Sequence, residues 1–238
     1  MVLKVKNLNK TIKKKKVLNN VSFEVGVGEI YGFLGPNGAG KTTTMKAIME
    51  FISYDSGYIE VFGTKGLTFE DKKFIGFMPE NTYLYKHLKT REFLEFNGKF
   101  FGYKGKELEE KVTNLLKKVG LEDAENKYLK EFSKGMLQRI GLAQAIINEP
   151  KLVFLDEPMS GLDPIGRKMV KDLIYDLKKA GTTVFFNTHI LSDVESICDR
   201  VSIIHKGNLI VEGKKVKKIL EKTSLEDFFI EKVTEFDN

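Results

Sequence analysis

The chain has 238 residues, 42% of them apolar and 30% charged, with a net charge of +6 and a single cysteine. That length supports one sizeable core, or a main domain carrying a smaller one. A single cysteine excludes an intramolecular disulfide and the cysteine-paired zinc patterns, and no window approaches the roughly 20 apolar residues of a membrane-spanning helix or the apolar stretch of a secretory signal.

Residues 2–8, 17–25 and 29–34 read as strands, the third running into a glycine-rich turn. The lysines at 13–16 lie between the first two, where a hairpin turn is their simplest home; a polyphosphate, phospholipid or nucleic-acid role is the alternative. Elsewhere lysines are spread along the chain, as solvated helix faces require, so the basic balance does not by itself select an anionic partner. A helix is expected at 41–51, then strands at 58–62 and 74–78, the last stopped by Pro79.

From 90 to 147 the pattern turns helical, with Phe93, Phe96, Phe100 and Phe101 at helix spacing and Leu108, Val112, Leu115, Leu116 and Val119 repeating it. Such a stripe predicts a helical subdomain with the phenylalanines in its core, some of them alternatively lining a docking groove. Short apolar runs at 151–155 and 182–187, with a helix of about 15 residues between them, predict a βαβ unit and hence a parallel sheet. Two strands at 201–205 and 209–212 join at Gly207 and Asn208, a hairpin by its turn chemistry. Cys198 reads as a small buried apolar residue, and the tail from 214 to 238 as helical with a break near Thr223 and Ser224.

Gly35, Pro36, Asn37, Gly38, Ala39, Gly40, Lys41 and Thr42 match the phosphate-binding loop pattern, placed after an apolar strand and before a helix as that loop must be. The glycines let the backbone curl with its N–H groups inward, and the following helix adds its positive end. Lys41 is expected to reach the β- and γ-phosphates and the Thr42 hydroxyl to ligate Mg²⁺, with Thr43 extending the contacts. Residues 152–157 form an apolar strand that delivers Asp156 and Glu157 to its C-terminal end, where ligands sit in open parallel sheets. One carboxylate can hold Mg²⁺ while its neighbour polarises an attacking water.

In this order the motifs resemble the nucleotide-binding domain of the ATP-binding cassette family, over nearly the whole chain. The resemblance implies an α/β fold: a P-loop NTPase core with a mostly parallel sheet, an N-terminal antiparallel β subdomain and an inserted α-helical subdomain. It implies a single ATPase domain over 1–238, with the core and β subdomain at about 1–89 and 148–213, the helical subdomain at about 90–147 and a helical tail at 214–238. It gives Asp156 to Mg²⁺, makes Glu157 the catalytic base, matches the run from Ser160 to Asp163 to the loop by which two cassettes communicate, and makes His189 the switch histidine of the γ-phosphate. The signature loop reads Phe132, Ser133, Lys134, Gly135, Met136, a departure that keeps the hydroxyl and the bare backbone at the start of a helix expected at 136–147. That variant resembles the branch containing multidrug, antibiotic and haem-export ATPases. Glu80 stands where the family usually has Gln, a carboxylate that can still bind metal through water. Ile12 falls where an aromatic ring normally stacks on adenine.

A transport ATPase is therefore expected, binding ATP and Mg²⁺, working as a head-to-tail homodimer with a separate transmembrane permease, on the cytoplasmic, inner face of the cell membrane, and without nucleic acid. A nucleic-acid or ribosome ATPase of the same family is the second reading, kept open by the basic pI of about 9.1, but the long coiled-coil insertion and the tandem cassettes of those members are missing here. A non-hydrolysing module would be expected to lack Glu157, His189 or Ser133, and all three are present.

Overall fold

The computed structural model describes residues 1–82 and 84–238. In chain order the elements are β1 (Leu3–Ile12), β2 (Lys15–Val25), β3 (Ile30–Leu34), α1 (Lys41–Ile48), β4 (Ser56–Val61), β5 (Thr64–Lys65), α2 (Phe69–Lys72), β6 (Ile75–Met78), α3 (Thr90–Phe100), α4 (Gly105–Lys118), α5 (Lys134–Ile146), β7 (Leu152–Asp156), α6 (Pro164–Lys179), β8 (Thr183–Thr188), α7 (Leu191–Ile197), β9 (Arg200–His205), β10 (Asn208–Lys215), α8 (Val216–Leu220) and α9 (Leu225–Asp237).

Two sheets form. One, in the order β2-β1-β4-β5, is antiparallel; the other, in the order β10-β9-β3-β8-β7-β6, is parallel apart from its edge strand β10. Strands β3, β7 and β8 are buried throughout, as a parallel sheet covered on both faces requires. The pleat sends alternate side chains to opposite cores. Ile30, Leu34, Val153, Leu155, Val184 and Phe186 pack with the helices, whereas Tyr31, Phe33, Phe154 and Phe185 pack with β1, β2, β4 and α1. Phe185 is the hub of the second core, its ring centroid 5.4–5.8 Å from those of Phe23, Tyr31, Phe33 and Phe154. A mostly parallel sheet flanked by an antiparallel one and by helices is the architecture expected of a P-loop NTPase.

The helical segment is seated on the sheet through bare backbone. A Cβ at Gly76 in β6 would strike the carbonyl of Ala145, so α5 lies against the strand itself. Cys198 is buried over Gly32, where a Cβ would meet its sulfur at 2.9 Å, and burial pushes the thiol pKa up.

Three local outcomes differ from the pattern-based reading. Strand β1 continues to Ile12, which pairs with Lys15, and the hairpin closes on Lys13 and Lys14 with φ of 47° and 66°. Helix α5 begins at Lys134 rather than 136, because Ser133 caps it by accepting the Met136 amide at 3.3 Å, placing Gly135 inside the first turn. Of the phenylalanine stripe only Phe93 is buried; Phe96, Phe100 and Phe101 are 39%, 73% and 41% exposed. Helical spacing puts them on adjoining positions, but α4 and α5 cover only the side that carries Phe93 and Leu94.

Candidate functional site

The loop between β3 and α1 is held by close approach. At Gly40 φ is 115°, a left-handed conformation, and a Cβ there would come within 3.1 Å of the Val17 carbonyl, so glycine is required twice over. From the other side the Gly207 amide, in the β9–β10 turn, donates to the Ala39 carbonyl at 2.9 Å. Pro36, Asn37 and Gly38 are exposed at the crest. Helix α1 has no side-chain cap, since its N-cap is Gly40, whereas α2, α5, α6 and α9 are capped by Thr68, Ser133, Asp163 and Ser224. Its first-turn N–H groups are thus left for a ligand at the positive end of the helix dipole.

Lys41 and Thr42 project from that first turn toward the ends of β7 and β8. The Lys41 ammonium donates to the Gly35 carbonyl at 2.7 Å and lies 3.7 Å from Glu157 Oε1. Burial lowers its pKa, opposed by the charges of Glu157 and Asp156. The Thr42 hydroxyl donates to Asp156 Oδ2 at 2.8 Å, while Asn187 at the end of β8 donates to Asp156 Oδ1 at 3.1 Å. Glu157 is 6% exposed, with φ of 51°. His189 Nδ1 is 2.8 Å from its Oε1, the Thr188 hydroxyl donates to its Oε2 at 3.3 Å, and its carbonyl accepts from Gln138 Nε2 at 3.0 Å. A non-glycine residue held in the left-handed region by such contacts is the kind of strain found at functional sites.

An open cleft of about 670 Å³ lies over this network, lined by the phosphate-loop residues Asn37, Gly38 and Gly40 to Thr43, by Glu80 and Glu157, and by the β1–β2 hairpin through Ile12, Lys13, Lys15 and Val17. Ile12 is 42% exposed. The structure therefore gathers Lys41, Thr42, Glu80, Asp156, Glu157 and His189 in one region, whereas Ser133 and Gly135 line no part of the cleft. Ser133 is exposed at the start of α5, and a Cβ at Gly135 would meet only Leu162.

The donors suit a nucleoside triphosphate with Mg²⁺. Among the described residues no three acidic, His or Cys side chains cluster as a complete metal cage. A hydroxyl, one carboxylate and nearby Glu80 instead match the way Mg²⁺ is held by few protein ligands, with phosphates and water completing the shell. Asn187 Oδ1, beside Asp156, is a buried acceptor without a partner among the described residues, the kind of orphan that a water of such a shell satisfies. Pattern reading missed Asn187, Thr188 and Gln138 as contacts of the two carboxylates. The first two were marked only by ending an apolar strand, and Gln138 lies in a helix with no local sign that it reaches β7.

Comparison with known proteins places these residues in context. The family model described as ABC transporter matches residues 18–160. An uncharacterized ABC transporter ATP-binding protein of a Synechocystis strain is 46% identical over 202 residues, covering 84% of this chain and 57% of the relative. The lantibiotic transport ATP-binding protein SrtF of Streptococcus pyogenes is 39% identical over 211 residues, covering 89% of this chain and 90% of SrtF. A solved structure titled as the ATP binding subunit of an ABC transporter superposes with a TM-score of 0.89 at 30% identity, covering 98% of this chain and all of that one. The chain spans under two thirds of the length of the first two curated relatives.

Proposed function

Because the chain belongs to the ABC transporter family, we propose that it is the ATP-binding and ATP-hydrolysing subunit of an ABC transporter and powers movement of a substrate by a separate transmembrane subunit. The observation that carries this is the continuous network from Lys41 and Thr42 through Asp156 and Glu157 to His189, built under one cleft. The residues from Gly35 to Thr43 would bind the triphosphate through backbone N–H groups and the Lys41 ammonium. Thr42 and Asp156, with Glu80 through water, would hold Mg²⁺, which supplies charge neutralisation on the phosphates when bound. Glu157 would accept a proton from the attacking water, and His189, fixed against Glu157 Oε1, would orient toward the γ-phosphate.

The second half of the site would come from a second copy. Ser133 and Gly135 stand at the N-terminus of α5, away from the cleft of their own chain, which supports a head-to-tail pair in which they meet the partner's nucleotide. ATP would favour the closed pair through its differential affinity for that state, and hydrolysis would release it. The exposed edge-to-face cluster of Tyr85, Phe96 and Phe100 supports docking of a short helix from the membrane subunit on this face. Export is favoured by the variant at Ser133–Gly135, by Glu80 and by the likeness to a lantibiotic transport protein. Among the described residues no helix is long and apolar enough to cross a membrane; the proposed place is the cytoplasmic face, bound to the permease, with no nucleic-acid partner. Crosslinking from Phe100→Cys in membranes tests the assembly. A membrane protein in the adduct is expected, and adducts only with ribosomal proteins or nucleic acid would overturn it.

A further inference from the structure

If the cleft holds a nucleoside triphosphate, as proposed above and as this inference requires, the base must lie beyond the phosphate loop, against the β1–β2 hairpin. Val17 marks the phosphate end, since its carbonyl lies 3.1 Å from where a Cβ on Gly40 would be. Lys15, at the start of β2, is two residues nearer the turn, about 7 Å away at the rise of a strand, a separation suited to crossing the ribose. Ile12 pairs with Lys15, so both side chains share a face of the hairpin; the register then slips between Lys10 and Thr11, a bulge at Val17 that interrupts the alternation there. All three line the cleft, together with Lys13 from the turn.

Among the described residues, the end of the cleft meant for the base therefore carries one aliphatic side chain and two ammonium groups, with no aromatic ring in its lining. Asp55, the acidic neighbour at this hairpin, is already engaged by Lys10 at 3.6 Å and by the Thr11 amide at 2.7 Å. The turn is also unusual. Two consecutive left-handed residues form the tight turn that Asn-Gly favours, and here both are lysine.

Stacking on a ring is sequence-tolerant because every base has a π-face. With Ile12 in its place, polar contacts at the base edge gain weight. An ammonium can only donate hydrogen bonds. Guanine offers it two adjacent acceptors, N7 and O6, whereas adenine offers N7 beside the N6 amino group, itself a donor. From this geometry we infer that Lys15, assisted by Lys13, is a specificity-determining residue that makes the site prefer 6-oxopurine nucleoside triphosphates, GTP and ITP, over ATP.

The test is competitive titration of the full chain with the Mg²⁺ complexes of ATP, GTP and ITP, in the wild type, in Lys13→Ala/Lys15→Ala and in Lys41→Ala. The wild type should bind GTP and ITP ~5–10-fold more tightly than ATP, the lower part of the range that a lysine contact to guanine provides. ITP should match GTP, because it shares O6 and lacks the 2-amino group. The double variant should weaken all three while bringing the ratio to about one, since lost attraction for the triphosphate is common to every base. Both lysines are exposed, and an unchanged melting temperature will show that the hairpin persists. A wild-type ratio of one or less, or a preference that survives the double substitution, overturns the inference. If no triphosphate binds, or Lys41→Ala binds as the wild type does, the nucleotide site itself fails and the inference with it.

Discussion

Replacing Glu157 by Gln separates the observed contact of one side chain with Lys41 from the proton acceptance proposed for it. In the free protein Glu157 is a partner of Lys41, at 3.7 Å and with both side chains 7% exposed. At an effective dielectric constant of about 20 such a pair attracts by ~4 kcal/mol before desolvation is subtracted. A phosphate arriving at Lys41 must compete with that attraction. Glutamine keeps the shape: its carbonyl can accept from His189 Nδ1, and its amide can donate to a Thr188 hydroxyl turned around to accept, replacing the contacts at 2.8 and 3.3 Å. The charge is lost, so on the proposed reading the ammonium is freer to meet the triphosphate and the proposed proton acceptor is gone. Burial already lowers the Lys41 pKa, opposed chiefly by Glu157, so the variant lysine should lose its charge at lower pH than the wild type. The gain in ATP affinity should therefore be largest near neutral pH and fade toward alkaline pH. Steady-state phosphate release should fall by ~10²–10⁴-fold, the usual contribution of a general base. Equilibrium titration with Mg²⁺-ATP should show tighter binding, and gel filtration with ATP should show a trapped dimer. Turnover within about threefold of wild type, or ATP binding weakened as in Lys41→Ala, would refute the reasoning.

Ser133→Arg should leave ATP binding by the monomer nearly intact while abolishing ATP-dependent dimerisation, whereas Lys41→Ala should weaken binding itself; light scattering and titration of both variants compare the two. Ile12→Tyr should tighten ATP binding severalfold, up to about tenfold, by restoring a stacking surface worth on the order of 1–3 kcal/mol; an unchanged affinity would mean that Ile12 does not face the base. Asp193 is 1% exposed and accepts from Arg167 at 2.7 and 2.8 Å, with Lys171 at 3.2 Å. Arg167→Ala should therefore cost less, in denaturant melts, than the ~3–5 kcal/mol typical of a buried pair broken outright, because Lys171 remains. Equal losses for Arg167→Ala and Arg167→Ala/Lys171→Ala would show that Lys171 gives no cover.

Features that depend on neighbours in the chain were legible in the sequence. The run from Gly35 to Thr42 shows the phosphate-binding pattern because the turn, the helix start, Lys41 and Thr42 are all contained within it. Asp156 and Glu157 follow an apolar strand, and Ser224 caps α9 where the break in the tail was expected. The doubly buried strands showed as unbroken apolar runs, which predict a parallel sheet but not the order of its strands.

Only the tertiary structure decided what depends on residues distant in sequence. Asn187 reaches Asp156, and Gln138 in α5 holds the Glu157 carbonyl, because β7, β8 and α5 converge there. Gly207 secures the phosphate loop through Ala39 across most of the chain. Phe93 and Phe100 are indistinguishable by helical periodicity, yet one is 1% and the other 73% exposed, since burial is set by which neighbours arrive. The lysines at 13–16 read as turn charge until the hairpin's register put Lys15 opposite Ile12 and laid both along the cleft. Local pattern fixes backbone conformation through short-range sterics and hydrogen bonds; which surfaces meet is a property of the whole packed chain, and no window of sequence contains it.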